Sequence, residues 1–374
     1  PFIAIWETTQ ACDLACVHCR ACAQSARNPR ELSTDEAKRL IDEIAAMQVP
    51  VFVLTGGDPL KRPDLFELIR YATAKHVRIS LTPSATPLLT RETVVELKHS
   101  GVARLAVSLD GPTAEVHDAF RRVPGSFEWT INAVRWAREI NLAVQINTTV
   151  TRHNLNIVDD LIALLEKLNI VLWCVFFLVP TGRGQSVGLL LAEEFEQVFA
   201  KMYETSRRVL FDIKSTEAQH YRRYVLQRQA QTRRLGQKPS ESYRRIPQFH
   251  QPPVGLFTTD GIGRAPRGLN DAKGFVFISH LGEVFPSGFF PLSAGSIRKQ
   301  SLASIYRDSP LFRSMRDSSN LGGKCGRCEF REICGGSRAR AYALTGDLFA
   351  EEPCCVYQPK RQQKPEASST VAAS

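Results

Sequence analysis

The chain has 374 residues, of which 43% are hydrophobic, and a formal net charge of +10. That length and apolar content suffice for a full core and fit two globular units, which excludes an intrinsically disordered chain. No run of about 18 apolar residues occurs, and the N-terminus shows no basic segment, apolar stretch and small-residue site of a secretory signal, so a cytoplasmic protein with no membrane partner is expected.

From Phe2 to about Leu178, apolar or β-branched runs alternate with amphipathic helices at a spacing of roughly 30 residues, the repeat of successive strand-helix-strand units. Six strands are predicted: Phe2–Thr8, Val51–Leu54, Val77–Leu81, Leu105–Leu109, Val144–Val150 and Leu172–Leu178. Their near-continuous hydrophobicity is that of a parallel sheet covered by helices. Ser33 and Glu36 form a capping box ahead of Ala37, Leu40, Ile41 and Ile44 on one helix face, and Gly101 closes the third helix. The fold class is therefore α/β, a partial (β/α)6 parallel barrel over residues 1–200, whose chemistry belongs on loops at the C-terminal ends of the strands.

Residues 201–273 read as a basic helical linker or lid, with Arg222-Arg223, Arg233-Arg234 and Arg244-Arg245, followed by a Pro/Gly-rich stretch. Phe275–Ser279 and Glu283–Phe285 flank Gly282 as a hairpin that opens a cysteine-rich module over 274–359. Residues 360–374 have almost no apolar mass and are expected to be a disordered tail.

Ten cysteines lie mostly at the two ends, four between Cys12 and Cys22 and five between Cys325 and Cys355. In a reducing compartment such clusters mean metal ligation rather than disulfides. Cys12, Cys16 and Cys19 form CxxxCxxC directly after the first strand. Three thiolates on an iron-sulfur cubane leave one iron open, but a zinc site completed by His18 or Cys22 has the same local spacing. The bland alternative for Cys22 is a small packed side chain. Cys325, Cys328, Cys334 and Cys354 supply four thiolates, enough to close a zinc site or a four-iron cluster, with Cys355 a competitor for the last position.

The segment Glu7–Cys19 closely resembles the cluster loop of the radical S-adenosylmethionine (AdoMet) superfamily. Gly56-Gly57-Asp58-Pro59 after the second strand is similar to that family's Gly-Gly-Glu-Pro segment, with Asp in place of Glu. Ser108 and Asp110 after the fourth strand, Arg121 beyond it and Asn147 in the fifth resemble positions that contact the cofactor. The resemblance implies a [4Fe-4S] cluster on Cys12, Cys16 and Cys19, AdoMet on its open iron, and a one-electron donor such as flavodoxin or ferredoxin. Cys325–Cys334 with the following Gly335–Tyr342 resembles the SPASM or twitch extension, which carries auxiliary clusters. Ser287 and Arg338 replace two cysteines of the full SPASM pattern, so one auxiliary [4Fe-4S] cluster is expected, closed by Cys354.

The segment from Cys334 to Cys354 is most similar to members that modify tetrapyrrole side chains in alternative haem and haem d1 biosynthesis. Those substrates carry propionates, which fits the positive charge; no aromatic-basic RNA motif accompanies that charge, so nucleic acid is not the expected partner. Lys214–Arg223 is the candidate carboxylate grip, with His220 an iron ligand or proton donor, set against a plain solvated helix face. The alternative substrate is a ribosomally made peptide cross-linked through thioether or carbon-carbon bonds.

Overall fold

The computed structural model describes residues 1–235 and 268–360. The tail beyond residue 360, Arg244-Arg245 and most of the Pro/Gly-rich stretch that follows them lie outside the described residues.

Strands β1 (Ile3–Glu7), β2 (Val51–Thr55), β3 (Ile79–Leu81), β4 (Val102–Ser108), β5 (Ala143–Val150) and β6 (Leu172–Phe177) run parallel, each beside its successor. The intervening helices α1 (Thr34–Ala46), α2 (Leu65–Ala74), α3 (Arg91–His99), α4 (Ala114–Arg121), α5 (Ser126–Glu139) and α6 (Val158–Lys167) cover the sheet. Trp6, Phe52, Ile79, Leu105, Ile146 and Trp173 are fully buried between the layers, each worth about 1.5–3 kcal/mol of transfer free energy. The α1 capping box forms as the sequence predicts: Glu36 N–H donates to Ser33 Oγ at 3.2 Å and Ser33 N–H to Glu36 Oε2 at 2.8 Å.

Two features of the sheet differ from the sequence expectation. A seventh parallel strand, β7 (Asp212–Thr216), pairs with β6 after helix α7 (Ala192–Ser206), so the sheet extends into the stretch read as a linker. Its residues Asp-Ile-Lys-Ser-Thr are half-buried throughout, as an edge strand's are, and lack the apolar run that marks its neighbours. Helix α8 (Tyr221–Arg234) then packs on α7. On the opposite side, the hairpin of β8 (Phe275–Ile278) and β9 (Glu283–Phe285) is present, but β8 also pairs in parallel with β1, Ile3 opposite Phe275. With β10 (Gly295–Ser296) the order is β10-β9-β8-β1-β2-β3-β4-β5-β6-β7, one open sheet of ten strands. The cysteine-rich module is thus continuous with the barrel sheet. Among the described residues no helix is long and apolar enough to cross a membrane.

Candidate functional site

The loop after β1 is held from three directions. At its base Cys12 N–H donates to Gln24 O at 2.7 Å. On one flank Ala15 and Val17 N–H groups donate to Arg121 O and Phe120 O at the end of α4, at 3.2 and 3.0 Å. On the other, Arg183 donates from its backbone to Cys19 O at 3.0 Å and from Nε to Cys16 O at 2.9 Å. Gly182, at φ +55°, brings that clamp against the Arg20 carbonyl, where any Cβ would collide.

Cys12, Cys16 and Cys19 line one cavity of about 220 Å³. Each sulfur has a polar neighbour: Ser84 Oγ at 3.3 Å and Leu14 N at 3.4 Å from Cys12, Arg121 Nη1 at 3.5 Å from Cys16, and Ala23 N at 3.5 Å from Cys19. Burial pushes the Cys12 thiol up, while the Ser84 and Leu14 hydrogen bonds pull the other way. Among the described residues no three His, Cys, Asp or Glu side chains form a preformed metal-ligand group. What the structure shows is a shared wall. Three soft donors with N–H and guanidinium neighbours, facing open space at the C-terminal ends of the strands, fit a thiolate-bound iron-sulfur centre.

Of the eight residues expected to contact the cofactor, Gly56, Gly57, Ser108, Arg121 and Asn147 line this cavity. Asp58, Pro59 and Asp110 are buried and do not line it. Asp58 accepts from Thr86 Oγ1 at 2.7 Å and from Leu60 N at 3.2 Å, bracing the turn after β2. Asp110 is ion-paired with Arg121 and accepts from Thr149 N at 2.8 Å. Burial draws the Arg121 guanidinium down, but Asp110 and Cys16 more than offset it, so Arg121 stays cationic beside the thiols. The glycines also do more than admit a ligand: Gly57 N–H donates to Thr9 O at 2.8 Å and Asp58 N–H to Ala11 O at 2.6 Å, an approach to the β1 loop that a Gly57 side chain would block. Residues the sequence reading did not single out are Thr82, Ser84, Thr130, Thr149, Phe176 and Phe289. The position of Thr82 and Ser84 just after β3 is the signal that could have found them.

A second cavity is lined by Cys325, Cys328, Cys334 and Cys355, with His220, Arg223, Lys324, Glu352 and Tyr357. Cys354 is absent from that wall. It packs into the hydrophobic core and its N–H donates to Glu352 Oε1 at 3.1 Å. Burial pushes the thiol of Cys354 up to about 11 and that of Cys334 to about 12. N–H groups of Glu352, Phe330 and Gly336 donate to the sulfurs of Cys325, Cys328 and Cys334 at 3.3, 3.4 and 3.4 Å. Cys22 faces neither cavity and sits half-buried at φ +47°.

Between the cavities lies a buried polar network. Arg340, fully buried, pairs with Glu352 at 2.9 Å and donates to the carbonyls of Leu178 and Glu217. Burial beside Asp271 pushes the Glu217 carboxyl up. Arg338, in the place of a SPASM cysteine, donates to Ala350 O at 2.6 Å, and Ser287, in the place of the other, is a buried partner of Asp271. The expected carboxylate grip is not presented as one. Arg222 is spent on the carbonyls of Ile333 and Leu269, Arg223 on Glu196, and His220 is 0% exposed.

Residues 6–165 match the model of the radical SAM superfamily. The chain is 41% identical to the AdoMet-dependent heme synthase of Methanosarcina barkeri over 362 residues, 97% of this chain and 98% of that protein. It is 42% identical to the AdoMet-dependent heme synthase of Nitratidesulfovibrio vulgaris over 358 residues, covering 95% and 92% of the two chains. The crystal structure of Streptococcus suis SuiB bound to S-adenosylmethionine superposes with a TM-score of 0.70 at 14% identity, over 96% of this chain and 77% of that one, a likeness of fold.

Proposed function

Because the chain belongs to the radical SAM superfamily, whose members use a [4Fe-4S] cluster and AdoMet, we propose that it abstracts hydrogen from a side chain of a carboxylate-bearing tetrapyrrole in haem biosynthesis. The observation that carries the substrate class is the 41% identity, over 97% of the chain, to a protein named as a heme synthase. When bound, the cluster and AdoMet supply reductive cleavage to methionine and a 5′-deoxyadenosyl radical, with the electron from a flavodoxin- or ferredoxin-type donor.

The chain's own residues bind, orient and exclude water. Cys12, Cys16 and Cys19 hold the catalytic cluster, and Gly56, Gly57, Ser108, Arg121 and Asn147 bind AdoMet, a role supported by their common cavity. Asp58, Pro59 and Asp110 brace that wall. Phe176 and Phe289, whose rings lie 6.4 Å apart and tilted by 55° at the same cavity, offer an apolar contact for a macrocycle. Titrating an iron coproporphyrin into anaerobic protein is expected to shift its Soret band with saturation; an unperturbed band at saturating protein contradicts this substrate.

The auxiliary cluster is assigned to Cys325, Cys328, Cys334 and Cys355, with Cys354 a packing residue. The support is that Cys355 shares the wall of the other three while Cys354 is locked against Arg340 and Glu352. Cys355→Ser is expected to lower iron by about four per chain, whereas Cys354→Ser keeps it. Iron and sulfide assays on the two variants check this, and the reverse pattern restores Cys354 as the ligand.

A further inference from the structure

We propose that His220 donates a hydrogen bond from its imidazole ring to a sulfur of the auxiliary cluster and thereby raises that cluster's reduction potential. This rests on the assignment of Cys325, Cys328, Cys334 and Cys355 to that cluster. His220 is 0% exposed, and neither Nδ1 nor Nε2 has a hydrogen-bond partner. Buried polar groups are almost always satisfied, and leaving one bare costs about 1–3 kcal/mol. Every tautomer of the ring carries at least one N–H, so an acceptor is owed.

The ring lines the cavity walled by the four thiols, and the other polar groups there are spent or of the wrong kind. Arg223 and Lys324 are donors. Glu352 is saturated: Oε1 accepts from Arg340 Nε at 2.9 Å and Cys354 N at 3.1 Å, and Oε2 from Ser337 N at 2.7 Å and Arg340 Nη2 at 3.1 Å. The Cys354 backbone lies near the ring, but neither ring nitrogen makes a hydrogen bond to it. The Tyr357 hydroxyl is engaged with Glu329, and the four thiol sulfurs are the acceptors that a bound cluster would present on that wall.

The ring is also aimed. Phe195 stacks on it at 5.3 Å and 30°, and Phe199 meets it edge-on at 4.9 Å and 71°. Phe195 stacks in turn on Phe177 at 4.7 Å, and Phe177 lines the AdoMet cavity. His220 therefore ends an aromatic column running from one cavity to the other, and an imidazole so wedged cannot turn to find a different partner. A hydrogen bond to a cluster sulfur withdraws electron density and favours the reduced state.

The test uses full-length Cys12→Ala/Cys16→Ala/Cys19→Ala protein, reconstituted so that only the auxiliary cluster reports, in an EPR-monitored redox titration. His220→Phe, which keeps a flat ring and loses the donor, is expected to bind the same iron and titrate at lower potential. At a fixed poise its reduced-to-oxidised ratio should fall about tenfold, which is about 59 mV for a one-electron couple. His220→Gln, which keeps an N–H, should stay closer to the parent and covers the case in which the Phe variant does not fold. An unchanged midpoint with iron intact overturns the proposal, as does loss of iron from both variants, which would make His220 a ligand. A triple-Ala parent that binds no iron overturns the auxiliary-cluster assignment itself and the proposal with it.

Discussion

Replacing Cys12, Cys16 and Cys19 together by Ala is expected to reduce bound iron from about eight to about four per chain and to abolish release of 5′-deoxyadenosine by dithionite-reduced protein. The remaining iron survives because Cys325, Cys328, Cys334 and Cys355 wall a separate cavity. The loss of cleavage is expected to be complete rather than partial, because the four-thiolate auxiliary site proposed above leaves AdoMet no open iron. The loop itself should stay folded, since its backbone is fixed to Gln24, Phe120, Arg121 and Arg183 by bonds that do not involve the thiols. Iron and sulfide assays with chromatography of the nucleoside product check both halves, and retained cleavage in the triple variant refutes the assignment.

Arg340→Ala is expected to destabilise the protein by about 3–5 kcal/mol, the cost of leaving one member of a buried ion pair uncompensated. Arg340 and Glu352 are both essentially solvent-free, and the guanidinium also lies over Phe195 at 4.9 Å. Its removal strands the Glu352 carboxylate, which Arg340 holds at about 2 against the opposing effect of burial, together with the carbonyls of Leu178 and Glu217. Arg340→Lys retains the charge without the planar fork and should recover only part of the loss. Replacing Arg340 and Glu352 together by Met should cost less than Arg340→Ala, since no charge is then orphaned. Denaturant midpoints of the reconstituted proteins measure the series; a double variant as unstable as the single one contradicts the ion-pair explanation.

Most of the barrel was legible because its strands carry regularly spaced buried residues, at every position of β3 and at every second one of β5. Strand β7 was not, since an edge strand of Asp212, Ile213, Lys214, Ser215 and Thr216 carries no such signature. The parallel pairing of β8 with β1 was also illegible: Phe275 and Ile3 lie at opposite ends of the chain, and periodicity records no partner choice. At the site, spacing marked the thiols, and the resemblance to the radical AdoMet family marked Gly56, Ser108 and Asn147, which line the same cavity. It could not separate residues that face the cavity from buried ones that do not line it, such as Asp58 and Asp110, because both kinds are polar and both sit at strand ends. Cys354 and Cys355 are adjacent, so spacing does not separate them; in the fold Cys354 N–H is held by Glu352, the partner of Arg340, while Cys355 shares the cavity of the other three thiols. The grip read into Lys214–Arg223 failed for a similar reason. Its cations look like a solvated face in sequence, but the fold surrounds Arg222, Arg223 and His220 with internal carbonyls, a carboxylate and aromatic rings.

The molecule that loses its hydrogen is identified most directly by isotope transfer. Reduced protein is incubated with AdoMet and an iron coproporphyrin deuterated in its propionate side chains, and the 5′-deoxyadenosine is analysed by mass spectrometry. Deuterium in the nucleoside, with a modified porphyrin in matching amount, is the expected result. Unlabelled 5′-deoxyadenosine beside unchanged porphyrin, with label transferred instead from a deuterated peptide, would contradict a tetrapyrrole substrate.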